Sequence, residues 1–310
     1  MSEYFHWRYV LKLAGSGDLN ARTPGGEIEG ALLRHRDGGH ACLQPWETFG
    51  QGNLDESLGL LRDGGGSDLL SSCRRCVALD GAARASGEAL LKGEIMPRSH
   101  LTVPDWADFG WLEEKKSVGF DLFKLKCAPD FAAEARRIRE LASHFGGDLR
   151  LRLDFNECLD LAGFREFVTL LGATLDSIDF IEDPLPYDAE LWGELSADLP
   201  FDLAVDRAND EAQDGFSVRV VKPAWEQAAD WAGRTVFTSA MDHPIGQLFA
   251  AYEASVFAGD VDDCGLLTHW LFEANAFSEA LTVADRRLVA PDGVGLGFSE
   301  LLDTLPWKAL

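Results

Sequence analysis

The sequence predicts an α/β protein, a (β/α)7–8 TIM-like barrel that carries an N-terminal α+β capping domain. Three observations predict it. From Ser99 onward, short β-type runs alternate with helical ones, which implies a parallel sheet, and a series this long implies closure into a barrel. Successive β-type runs end in charged residues, Lys126, Asp154, Glu182, Asp206 and Lys222, at intervals of 28, 28, 24 and 16 residues. These spacings are close to or below one βα unit of about 30 residues. Ahead of this series lies a stretch of hairpin-like strands and one alanine-rich helix, a small domain of its own.

The elements follow in chain order. Residues 4–13 alternate enough to be a strand, and Gly30 to Arg36 and His40 to Trp46 read as two more, joined by the turn Asp37-Gly38-Gly39. Asn20 to Gly26 is a loop by composition. Leu69 to Leu91 has helical spacing, interrupted by Gly81 and Gly87. The capping domain is expected over 1–95, joined by part of the C-terminal tail (about 285–310), where Pro291-Asp292-Gly293 marks a turn back toward it. The barrel is expected over 96–284. Its first strand is His100 to Val103 and its first helix Asp105 to Val118; Phe131 to Phe145 is the helix after the lysine strand. Phe164 to Leu171, Tyr187 to Leu195 and Trp225 to Trp231 read as later helices. Thr235 to Ser239 is a strand, Ile245 to Phe257 a helix, and Cys264 to Thr268 the last short strand.

Within the barrel series, Lys124-Leu125-Lys126 and Arg150 to Asn156 alternate apolar and polar residues with period two, so their charged residues share one face. In a parallel βα barrel the C-terminal strand ends meet at one mouth. Three carboxylates gathered there repel one another and drift toward protonation. A hard divalent cation resolves that conflict, and all-oxygen ligands suit Mg²⁺. A lysine beside such an ion exchanges a proton once burial and nearby positive charge lower its pKa.

Composition narrows the partners. A 310-residue chain buries a sizeable core, and its formal charge of −24 argues against nucleic acid, whose phosphates need clustered basic residues. No run of 18 apolar residues occurs, and Met1-Ser2-Glu3-Tyr4-Phe5-His6 lacks a basic segment leading into an apolar one, so no membrane association and a cytoplasmic location are expected. Six scattered cysteines fit reduced thiols better than a disulfide framework.

The set Lys124-X-Lys126, Asp154-X-Asn156, Glu182-Asp183-Pro184, Asp206 and Lys222, in this order on successive strands, resembles the enolase superfamily and within it the muconate lactonizing subgroup. The Val-Val-Lys-Pro-Ala form of the last motif and the modest length resemble the o-succinylbenzoate synthase family most. The resemblance implies that Asp154, Glu182 and Asp206 bind Mg²⁺, or Mn²⁺ in its place, with Asn156 supporting the first ligand. It implies that Lys126 abstracts the proton α to a small-molecule carboxylate, giving an enediolate, as is general for lysine bases of this superfamily. Lys126 would then return the proton to the departing hydroxyl in a syn β-elimination of water, a step of menaquinone biosynthesis. Lys222 would support the anion from the opposite face, and Lys124 would keep the base's pKa low. Two features depart from the family pattern. Arg207 follows Asp206 where many relatives carry Glu, and the short interval to Lys222 leaves room for a single helical turn.

Other residues admit competing readings. Lys124 and Lys126 alone could be outward lysines of an edge strand, and the three acids could cap helices. Cys73-Arg74-Arg75-Cys76 has redox or zinc spacing but no second pair, so ordinary helix thiols are expected. His243 is expected to be a loop residue rather than a second base. Ser239 ends a late strand and Gly265 lies in the last one, and both are candidates for holding a substrate carboxylate; Arg22 and the Phe49-Gly50-Gln51-Gly52 turn lie in loops that close over the mouth in relatives. The same two lysines would also serve an N-succinylamino acid racemase or a dipeptide epimerase. A dipeptide epimerase is expected to carry paired acids after the last strand, where this chain reads Gly265-Leu266-Leu267-Thr268-His269, with Asp262-Asp263 just upstream. A non-catalytic binding barrel would be expected to lose a lysine or an acid, and none is lost.

Overall fold

The computed structural model describes residues 3–15, 26–208, 211–229, 231–289 and 291–310. The N-terminal domain is α+β. Strands β1 (Tyr4–Lys12) and β2 (Glu27–His35) pair antiparallel along their whole length, from Tyr4 opposite His35 to Lys12 opposite Glu27. After the 37–39 turn, β3 (His40–Leu43) runs back along β2. A side chain on Gly39 would collide with the carbonyl of Val77, so glycine lets a helix lie directly on the turn. Helix α1 (Leu54–Arg62) starts in a capping box between Asn53 and Glu56, a signal in the sequence that the periodicity reading passed over. The helix on the sheet is α2 (Asp68–Ser86); it stops short of the expected Leu91 because Gly87 turns left-handed, with φ 72°.

The second domain alternates as predicted as far as β8, and among the described residues no helix then separates β8, β9 and β10: β4 (Leu101–Val103), α3 (Phe109–Ser117), β5 (Leu122–Lys126), α4 (Phe131–Phe145), β6 (Arg150–Asp154), α5 (Leu161–Leu171), β7 (Ile178–Glu182), α6 (Ala189–Asp198), β8 (Asp202–Val205), β9 (Val218–Val221), β10 (Arg234–Phe237) and α7 (Pro244–Val256). Asp108, Asp130, Asp160 and Asp188 each cap the helix that follows, accepting a backbone N–H in the first turn. Some of the acidic excess is thus used at helix N-termini, where negative charge is favourable. The strands form one parallel sheet in the order β10-β9-β8-β7-β6-β5-β4.

Closure uses an irregular eighth segment. Val261 and Gly265 bridge β10 at Thr235 and Thr238, while Cys264 bridges Ser99 beside β4. The expected strand over Cys264 to Thr268 is therefore shifted toward residues 261–265. The expected helix over Trp225 to Trp231 does not form. A single turn follows Pro223, closed by the N–H groups of Trp225 and Glu226 on the Lys222 carbonyl, at 2.8 and 3.0 Å. Its aromatic residues are spent on packing instead: Trp231 stacks on Phe216 at 5.0 Å, and Arg219 lies over Trp231 at 4.9 Å. In the link from Asp206 to β9, Ala212 N–H donates to Ala208 O at 2.7 Å.

The tail adds α8 (Ala276–Glu279), the hairpin β11 (Thr282–Ala284) and β12 (Arg287–Val289), α9 (Ser299–Thr304) and β13 (Lys308–Ala309). The hairpin holds to the barrel through Arg286, which reaches Asp121 at 2.6 Å and Asp263 at 3.1 Å. Past the 291–293 turn the chain crosses to the first domain: the Gly295 carbonyl accepts from Leu90 N at 2.7 Å, and β13 pairs with β1 as the outer strand of that sheet. Asp80 fastens this crossing. It accepts from His40 N at 2.8 Å, Arg84 Nε at 2.7 Å and Leu296 N at 2.6 Å. No described helix is long and apolar enough to cross a membrane.

Strand parity decides what faces the barrel interior. Phe180, Ala204, Val218, Val220 and Val236 form a small apolar cluster of their own. They share parity with Lys126, Asp154, Glu182 and Asp206, so the polar site stands on an apolar floor.

Candidate active site

Register brings the charged residues to one level. Lys126 is directly opposite Asp154, and Asp154 directly opposite Glu182, across β5, β6 and β7. Asp206 and Lys222 lie just past the ends of β8 and β9. Immediately beyond several of these strand ends the backbone turns left-handed, at Asn156 (φ 48°), Asp183 (φ 41°) and Met241 (φ 51°). Such non-glycine conformations carry a local cost and cluster where function fixes the chain.

Lysines lie on the carboxylates. Lys124 Nζ is 2.5 Å from Glu182 Oε2 and 3.0 Å from Asp154 Oδ2, with all three side chains buried. Lys126 pairs with Asp154 and Lys222 with Asp206. Burial lowers the pKa of Lys126, and the charge of Lys124 adds to this against the pull of Asp154. For Lys124 burial also acts downward, but Asp154 and Glu182 outweigh it and hold its pKa above the usual lysine range. Burial, followed by the charge of Asp154, pushes Glu182 up to about 7. Burial raises Asp154 too, but Lys124 and Lys126 prevail and hold it well below the carboxylate range.

Two residues organise the acids. Asn156 donates its side-chain amide to Asp154 Oδ1 at 2.5 Å and accepts from the Arg207 guanidinium. Asp183 turns away from Glu182 and accepts the backbone N–H groups of Asp206 and Arg207, at 3.1 and 3.0 Å, fixing the end of β8. Among the described residues no three carboxylate, histidine or cysteine side chains are gathered as a metal cluster, since lysine ammonium groups lie on the acids. The donor set nevertheless suits a hard cation. Asp154, Glu182 and Asp206 offer carboxylate oxygens at the ends of three adjacent strands, all three side chains being largely buried.

A small cavity lies beside them, and of the three acids only Asp206 is among its lining residues. Lys124, Lys126, Asn156, Asp206 and Lys222 line it, and so do Ser239 and Gly265 as the sequence predicts. Ser239 Oγ is 2.6 Å from Thr268 Oγ1. The N–H of Gly265 donates to Phe237 O at 2.7 Å in the barrel closure, so that group is already used; an added Cβ would stand 2.7 Å from Thr238 and 2.9 Å from His100. Phe49 lines the cavity from the first domain, and Gly50 and Gly52 give its turn left-handed backbone. Arg22 lies outside the described residues. His100, Thr102, Thr238, Trp46 and Trp225 also line the cavity and were not singled out in the sequence. His100 and Thr102 could have been found from parity along the first barrel strand; nothing local marks Trp46.

Other candidates lie elsewhere. His243 caps α7, packs between Tyr9 and Phe277 at 4.8 and 4.5 Å, and is driven down to about 3 by burial. Cys73 and Cys76 are buried helix thiols, and Cys73, pushed up to about 12 by burial, points at the Cys42 carbonyl. Asp262 and Asp263 do not line the cavity. Asp262 is held by Arg152 at 3.2 Å and by Arg234 at 2.9 Å, and Asp263 by Arg286 at 3.1 Å.

Comparison with known proteins agrees with this layout. Residues 4–83 match the family model of the o-succinylbenzoate synthase N-terminal domain, and residues 111–215 match an enolase C-terminal domain-like model. An o-succinylbenzoate synthase of Bdellovibrio bacteriovorus is 31% identical over 324 residues, covering 97% of each chain. Among solved structures, a dipeptide epimerase of Enterococcus faecalis complexed with Mg and L-Leu-L-Tyr superposes with a TM-score of 0.74 at 16% identity, covering 96% of this chain and 99% of that one. A muconate lactonizing enzyme of Pseudomonas fluorescens complexed with muconolactone gives 0.75 at 17% identity, covering 96% and 95%. These distant structures share the fold, whereas the Bdellovibrio likeness runs through both domains. The chain belongs to the o-succinylbenzoate synthase family of the enolase superfamily.

Proposed function

We propose that the protein is an o-succinylbenzoate synthase, eliminating water from 2-succinyl-6-hydroxy-2,4-cyclohexadiene-1-carboxylate in menaquinone biosynthesis. The observation that carries this reading is the 31% identity to the Bdellovibrio synthase across 97% of the chain, with every expected lysine and acid present and the three lysines and Asp206 lining one cavity. Asp154, Glu182 and Asp206 would hold Mg²⁺, with Mn²⁺ as a substitute. When bound, the cation supplies positive charge beside the substrate carboxylate and lowers the cost of removing the α-proton.

Lys126 is the base in this reading, because burial and Lys124 lower its pKa toward the range where it accepts a proton. Its Nζ takes the α-proton and then delivers it to the leaving hydroxyl, so both transfers occur on one face of the ring. Lys222 steadies the anion from the opposite face. Asn156 keeps Asp154 oriented. Ser239 would donate to a substrate carboxylate in exchange for its hydrogen bond with Thr268. The first domain, taken as 1–95 with the tail from about 285, acts as a cap that excludes water through Trp46 and Phe49.

A racemase or epimerase reading keeps the same lysines, and the likeness to epimerase folds favours carrying it. The occupied Asp262 and Asp263 disfavour the dipeptide form, since neither is free to receive a substrate ammonium group.

The test is turnover of the cyclohexadiene with Mg²⁺, followed by loss of diene absorbance. Conversion that stops with EDTA and in Lys126→Ala supports the lyase. No conversion, alongside Cα deuterium exchange into N-succinyl amino acids, would replace it with the racemase.

A further inference from the structure

Among the cations lining the cavity, Lys124, Lys126 and Lys222 each lie on a carboxylate. Arg207 differs. Its side chain is 14% exposed, and Asp206 Oδ2 stands 4.0 Å from its Nε, beyond hydrogen-bond reach. That Nε has no hydrogen-bond partner among the described residues. That Nε is itself buried, and leaving a guanidinium N–H unmet there is costly, so a small shift of the side chain that brings it against a ligand oxygen is rewarded.

The guanidinium is also held in place. Its Cζ lies over the Phe49 ring, 3.5 Å from the centroid, and it donates through Nη2 to Asn156. Its own backbone N–H is pinned by Asp183 at 3.0 Å. Stacking leaves the guanidinium edge, where carboxylates bind, as the functional part. Arg207 lines both the cavity and a wider outer hollow, where it is the one cation among the described lining residues. The hollow beyond carries Asp68, Glu157, Glu211 and Glu226. An anionic group extending outward from the cavity therefore meets one favourable position and then a repulsive field.

We propose that Arg207 binds a second substrate carboxylate, remote from the reacting one, and so selects dicarboxylates with a short spacer. This rests on the dicarboxylate substrate proposed above, and it takes the place after the third acid as a specificity position.

The test uses binding of o-succinylbenzoate and of its methyl ester on the succinyl carboxylate, both with Mg²⁺, read by the fluorescence of Trp46 and Trp225. Wild type is expected to prefer the diacid roughly thirtyfold or more, the scale of a charge-assisted hydrogen bond. Arg207→Gln is expected to bind the two within about threefold of each other, and Arg207→Lys to recover part of the preference. A purely structural arginine would weaken both ligands alike and leave the ratio unchanged, which overturns the proposal. Wild type binding both equally overturns it without need of a variant. If wild type binds neither, the synthase reading falls and takes this proposal with it.

Discussion

Lys124 sits between the ends of two neighbouring strands, its Nζ 2.5 Å from Glu182 Oε2 and 3.0 Å from Asp154 Oδ2. One buried ammonium therefore offsets part of the charge of carboxylates on both β6 and β7. Lys124→Met would leave those acids facing each other. Removing one partner of a buried pair costs about 3–5 kcal/mol. Urea unfolding of the metal-free protein is expected to show a loss in that range, and a loss under about 1 kcal/mol would mean that the acids are not dependent on this lysine.

Cation binding at Asp154, Glu182 and Asp206 should stabilise the fold by mass action. At a hundredfold excess over the dissociation constant the gain is about 2.7 kcal/mol, a rise of a few degrees in Tm. Differential scanning calorimetry with and without Mg²⁺ is expected to show this in wild type and to lose it in Asp206→Asn. An equal rise in both proteins would place the ion elsewhere.

Asp80 gives a pH dependence remote from the site. Burial pushes its carboxyl upward, but His40, Arg84 and Leu296 N–H outweigh this and hold it below the ordinary carboxylate value. A depressed folded-state pKa contributes stability that is complete above the unfolded value, near 4, and is lost as pH falls through the folded value. Asp80→Asn is expected to cost about 3 kcal/mol at pH 7, with the gap to wild type narrowing below about pH 4. A gap of the same size at pH 3 and pH 7 would show that the charge of Asp80 contributes nothing.

At Gly265 the consequence is steric. An alanine Cβ would press on Thr238 and on His100, at 2.7 and 2.9 Å. Overpacking of this kind costs about 1–3 kcal/mol. Gly265→Ala is expected to lower Tm by a few degrees and to reduce turnover as the cavity wall moves. Unchanged Tm and turnover would show that His100 has room to yield.

The strand ends were legible because each repeats one signal: a short apolar run closed by a charge, at βα spacing. That signal located Lys126, Asp154, Glu182, Asp206 and Lys222, and register then set the first three side by side. Trp225 to Trp231 misled because its apolar spacing is also what a loop needs to pack Trp231 on Phe216. Trp46 and Phe49 could not be placed beside Trp225, since only the tertiary fold brings the first domain over the barrel. The stacking of Arg207 on Phe49 was hidden for the same reason.

The pairing of β1 with β13 has a consequence for how the molecule is made. Phe5 and His6 acquire their outer neighbours only from Ala309 and Lys308. On the ribosome, the first sheet to emerge must wait with an open edge while the whole barrel is synthesised. Contacts this distant in sequence close slowly, and an unpaired edge invites association with other nascent chains. The barrel can assemble during that interval, so a strand made after the barrel completes a sheet begun before it.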